Sequence, residues 1–77
     1  MSVTVKFFAN LRESTGLSSI TIDYKDGMTI TDAWVAATDG KEMPARYLTA
    51  VNMEYESGNI EIKDNDEVAF FPMVSGG

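Results

Sequence analysis

The chain has 77 residues, six Lys and Arg against twelve Asp and Glu, a net charge of -6, 44% apolar residues and neither His nor Cys. That length fits one small domain, the apolar share suffices for a single core, and the acidity disfavours a nucleic-acid backbone as partner. The missing His and Cys remove disulfides, thiolate nucleophiles and Ser-His triads, and leave no metal site to expect.

Val3-Thr4-Val5-Lys6-Phe7 alternates apolar and polar with period two. It predicts a half-buried strand continuing to Phe8 and Ala9. Asn10 to Gly16 is polar and reads as a short helical turn or a loop. Ser19 to Tyr24 alternates again and predicts a second strand, antiparallel to the first across a short connection. Asp26-Gly27 marks a turn. The period then changes. Thr29 to Asp32 can cap a helix, Ile30, Trp34 and Ala37 share one helical face, and Asp39-Gly40 closes it. A helix of about ten residues needs a sheet to pack on.

After a loop containing Pro44, Tyr47 to Met53 predicts a strand. Residues 54–66 are acidic and rich in turn formers, with one short strand expected at 60–62. Glu67 to Phe71 is the last strand, stopped by Pro72. The order predicts an α+β domain over 1–72, with one main helix across a mixed four- to five-stranded sheet and the first and last strands central. Residues 73–77 are expected to form a flexible Gly-Gly tail.

No apolar run of about 18 residues or more is present, so no membrane helix is expected. Met1-Ser2-Val3-Thr4-Val5-Lys6 lacks the layout of an export signal, and a cytoplasmic location is expected. Membranes and nucleic acids are not expected as partners. Without catalytic side chains, the chemistry points to the chain end. Glycine has no Cβ, so Gly76 and Gly77 can thread a channel closed to other residues. A carboxylate there is inert until another enzyme converts it to an acyl-adenylate, which sulfur or an amine can attack.

Val5-Lys6-Phe7-Phe8-Ala9 with Leu11-Arg12-Glu13 and Gly16, then Ala50-Val51-Asn52, Asp66 to Pro72 and Val74-Ser75-Gly76-Gly77, resemble the MoaD/ThiS family of ubiquitin-like sulfur carriers. Within it, the sequence is similar to the small subunits of molybdopterin synthases. The resemblance implies the β-grasp fold. It also implies a non-catalytic subunit of a transferase, whose Gly77 carboxylate is adenylated and converted to a thiocarboxylate. The sulfur would then pass to precursor Z in molybdenum cofactor biosynthesis. The implied partners are the synthase large subunit, an E1-like adenylating enzyme that uses ATP, and a sulfur donor protein. No tightly bound cofactor is implied for this chain. Met73, Val74, Ser75 and Gly76 would thread into the partner behind Gly77. Sulfur delivery to a thiazole or to tRNA, and conjugation to lysines as a protein modifier, are the alternatives. Met73 departs from the family, which often carries proline there, and so does the stretch 29–48, which has Trp34 in place of a Leu-rich helix.

Alternation places Val3, Val5, Phe7, Val68 and Phe70 on the helix-covered face. Phe8, Ala69 and Phe71 then lie opposite. If the first and last strands are neighbours, Phe8 and Phe71 form an apolar patch beside Pro72 and the tail, which would dock both partners. The alternative is a minor core under residues 54–66. Trp34 is expected to anchor the helix, and the acids of 54–67 to form a solvated face.

Overall fold

The structure, a computed structural model, describes residues 1–43 and 46–72. The N-terminal alternation becomes β1 (Ser2–Phe7), with Val3, Val5 and Phe7 fully buried. The strand does not continue to Ala9 as the pattern suggested. Ala9 sits at φ 54°, and there the chain leaves the sheet to start α1 (Asn10–Thr15). Gly16 closes α1 in the left-handed region, donating its N–H to the Arg12 carbonyl. β2 (Ser19–Asp23) returns antiparallel to β1, one residue shorter than expected.

Thr29 and Asp32 then form the predicted capping box, each accepting the other's backbone N–H, at the start of α2 (Ile30–Thr38). Such reciprocal bonds satisfy two of the amide donors that a helix start leaves open. Asp39 ends α2 in the left-handed region. Ile30, Trp34 and Ala37 are buried, as the spacing predicted, and Ala33 is buried with them.

β3 (Tyr47–Val51) stops two residues early, because Asn52 and Met53 both take positive φ as the two-residue turn of a hairpin. The returning strand is β4 (Glu54–Glu56), which the acidic composition had concealed. The strand expected at 60–62 is instead a single bridge between Thr29 and Glu61, although Ile62 is buried. β5 (Glu67–Pro72) includes Pro72, which pairs with Tyr47 at the end of the ladder.

The sheet order is β2-β1-β5-β3-β4. β1 and β5 run parallel and the other pairs antiparallel. β5 is thus the central strand with β1 beside it. This is the expected mixed sheet with a helix across one face. The core centres on Trp34, whose ring meets Phe70 edge-on at 5.0 Å and Phe7 at 5.5 Å. Its indole N–H donates to the Lys41 carbonyl at 2.8 Å, so no polar group is stranded there. Burying each such ring stabilises the fold by about 1.5–3 kcal/mol. No helix among the described residues is long and apolar enough to cross a membrane.

Candidate functional site

β5 carries Val68 and Phe70 into the core and leaves Glu67, Ala69 and Phe71 on the other side of the sheet. Neither helix packs on that side, since Leu11 of α1 and Ile30 and Trp34 of α2 belong to the core cluster. Among the described residues the face is bare of helices, and its apolar part gathers where β5 ends.

Phe8 is 41% exposed and stacks on Phe71, with ring centroids 4.6 Å apart and planes 8° from parallel. The contact arises because β1 and β5 are parallel neighbours. The Phe8 N–H extends their ladder by one bond to the Phe70 carbonyl, at 3.2 Å. Ala9, strained at φ 54°, then turns the chain away and leaves the Phe8 ring on the bare face. The predicted juxtaposition of Phe8 and Phe71 is therefore present, while Pro72 pairs with Tyr47, which packs against the core. Of residues 54–66, the expected alternative cover, the Tyr55 ring flanks Phe71.

Two residues of the patch went unforeseen. Leu48, 39% exposed, is the cross-strand partner of Phe71. Tyr55, 71% exposed, lies with its ring 6.0 Å from Phe71. Leu48 was legible from the alternation of β3, since Tyr47 and Val51 pack on the core. Tyr55 was not, because β4 itself was hidden. Below the patch the same face becomes polar, with Lys6 Nζ 3.4 Å from Glu67 Oε2. An apolar cluster with a charged rim is the usual build of a protein-docking surface.

Of the acids expected to form a solvated face, Glu54 and Glu61 are exposed, and Asp64 and Asp66 also brace the backbone. Asp64 Oδ1 accepts the Ser2 N–H at 2.9 Å, and Asp66 accepts from Asn52 Nδ2 and the Lys63 N–H. Asn59 Oδ1 accepts the Thr31 N–H in the first turn of α2. At that end of the molecule, partial burial and then the charges of Asp26, Glu61, Asp64 and Asp66 hold the Tyr24 phenol above its ordinary value. Among the described residues no three carboxylates are grouped to hold a metal ion. The expectations for Met73, Val74, Ser75, Gly76 and Gly77 lie outside the described residues.

Residues 5–77 match the model of the ThiS family. The chain belongs to the ThiS family. It is 35% identical to the molybdopterin synthase sulfur carrier subunit of Escherichia coli (strain K12), over 97% of this chain and 99% of that protein. Its fold is that of the small archaeal modifier protein 1 of Haloferax volcanii, with a TM-score of 0.77 and 30% identity over the full length of both chains. A Pyrococcus furiosus protein provisionally assigned as molybdopterin converting factor subunit 1 superimposes with a TM-score of 0.73, at 29% identity, over 96% of this chain and 99% of that one. The ubiquitin-like β-grasp expected of a ThiS-family member is the fold observed. Within the ThiS-family frame, the Phe8–Phe71 stack marks the bare sheet face, where the central strand gives way to residues 73–77.

Proposed function

We propose that the chain is a sulfur carrier whose Gly77 carboxylate is the reactive group, and that it serves as the small subunit of a molybdopterin synthase. The observation that carries this reading is the 35% identity with the Escherichia coli carrier subunit over nearly the whole of both chains. The chemistry follows from the residues. The chain has no His and no Cys, so another protein must activate its carboxylate and supply the sulfur. An adenylating enzyme joins Gly77 to the α-phosphate of ATP and releases pyrophosphate. A persulfide on a donor protein then attacks the acyl carbon and displaces AMP. A thiol cleaves the resulting acyl disulfide, forming a disulfide with the donor and leaving a thiocarboxylate on Gly77. Met73, Val74, Ser75 and Gly76 carry that group into the large subunit, where precursor Z receives the sulfur. The patch of Phe8 and Phe71 holds the globular domain against the same partners and aims the tail.

The likeness to an archaeal modifier protein favours a second reading, in which the activated Gly77 is attacked by a lysine amine and the chain becomes a protein tag. The two readings share the activation step and part at the acceptor.

Reconstitution separates them. The chain, the adenylating enzyme and sulfur donor of its organism, ATP, the synthase large subunit and precursor Z are combined. Molybdopterin is expected, and deletion of Gly77 abolishes it without lowering the melting temperature. Transfer of the chain to lysines with no molybdopterin formed would refute the leading reading and favour the second.

A further inference from the structure

β2 is an edge strand. Among the described residues it pairs with β1 alone, in the register Val3↔Ile22 and Val5↔Ile20. The Phe7 N–H donates to the Ser18 carbonyl at 3.0 Å, and the Tyr24 N–H to the Met1 carbonyl at 3.2 Å. Antiparallel ladders alternate, so residues 18, 20, 22 and 24 spend their backbone groups on β1. The N–H and C=O groups of Ser19, Thr21 and Asp23 therefore point out of the sheet. Natural edges are commonly blunted by Lys, Pro or a bulge. β2, Ser-Ile-Thr-Ile-Asp, has neither Lys nor Pro, carries a charge only at its terminal Asp23, and pairs regularly.

Beside this edge runs a groove of about 720 Å³ between β2 and α2. Ile22 and Met28 are buried in its wall, and Ile20, Val35 and Ala36 line it more openly, Val35 being 48% exposed. Its charged rim is Asp23, Asp26 and Asp32 against a lone Lys25. An extended chain laid along β2 would bond to Ser19, Thr21 and Asp23. Alternate side chains would drop into the groove, and its ends would meet carboxylates.

We propose that the β2 edge is a strand-addition site for an extended segment of a partner protein, with alternating apolar residues flanked by Lys or Arg. Charge selects this occupant. A second copy would bring the same carboxylates and a further -6 to the rim, whereas a basic-flanked segment neutralises it. The groove lies on the helix side of the sheet, and β1 separates β2 from β5. A segment bound there leaves the Phe8–Phe71 face free, so the chain can hold two partners at once. This inference stands apart from the proposed chemistry at Gly77.

The test is selection of phage-displayed random peptides of about ten residues against the full chain, followed by titration of the winning synthetic peptides into isotope-labelled protein. Enriched peptides alternate apolar residues between Lys or Arg. They shift the amides of Ser19, Thr21, Asp23, Val35 and Ala36 and slow the exchange of the first three. Val35→Asp weakens them about tenfold or more, as does Ala36→Glu, a second exposed position should the first variant unfold. Four outcomes overturn the proposal: no enrichment, equal binding of peptides with Glu in place of the flanking Lys, shifts confined to Phe8, Leu48 and Phe71, or exchange protection of Ser19, Thr21 and Asp23 that rises with protein concentration alone. The last would make a second copy the occupant.

Discussion

Phe71→Asp separates docking from folding. In the fold, Phe71 is half-buried on the bare face and stacks on Phe8 at 4.6 Å. Losing about half of a buried phenyl costs about 1 kcal/mol, losing the stack about 1 kcal/mol more, and placing Asp in a central strand up to about 1 kcal/mol. The total is about 3 kcal/mol. A domain of 77 residues at about 0.1 kcal/mol per residue has about 8 kcal/mol to lose from. The variant therefore stays folded, with a lowered melting temperature. In the complex the same side chain would be fully desolvated. A central aromatic is worth about 2 kcal/mol or more there, and a buried carboxylate without a partner adds at least as much. Affinity for the large subunit falls a hundredfold or more, since each 1.4 kcal/mol is about tenfold. Titration calorimetry reads the affinity, and circular dichroism confirms the fold. A folded Phe71→Asp protein that binds the large subunit as tightly as the parent would remove the patch from the interface.

Two further changes probe how the domain is built. The single Trp is a fluorescence reporter of unfolding: Trp34→Ala should lower stability by about 3–5 kcal/mol, read by circular dichroism in urea, while Trp34→Phe costs about 1–2 kcal/mol by leaving the Lys41 carbonyl without its donor. A Trp34→Ala loss under about 1 kcal/mol would contradict a core centred on that ring. Met53 is 89% exposed and held at φ 70°, so Met53→Gly removes left-handed strain without removing packing. It should raise the urea midpoint, by about 0.5–1 kcal/mol of stability; a lowered midpoint would show that the side chain contributes more than its turn conformation costs.

Much of this architecture is written in short-range pattern. The period-two runs at Val3–Phe7 and Glu67–Phe71 placed five core residues correctly, because a strand with one buried face must alternate. Thr29 and Asp32 announced the start of α2 through the chemistry of its open amide donors. What escaped was set by longer-range contacts. Glu54-Tyr55-Glu56 has the composition of a loop, and it becomes a strand only because β3 offers it a partner. Asn52-Met53 lacks the glycine that usually flags a tight hairpin, Met taking a conformation that Gly would adopt without strain. Ile60 to Ile62 has a strand's alternation but lies where only Thr29 can bridge it. The same contrast holds at the site. Phe8 and Phe71 were legible once β1 and β5 were taken as neighbours, whereas Tyr55 depended on the hidden strand. The open edge of β2 is visible only from the sheet order.

The central proposal is that the Gly77 carboxylate carries sulfur. Intact-mass and C-terminal peptide analysis of the protein, purified from its own organism with the pathway active, tests that most directly. A population about 16 Da heavier, from oxygen replaced by sulfur, with the extra mass confined to the peptide ending in Gly77, is the result expected. A chain that continues past Gly77 in every molecule, with no sulfur-bearing species, would contradict it.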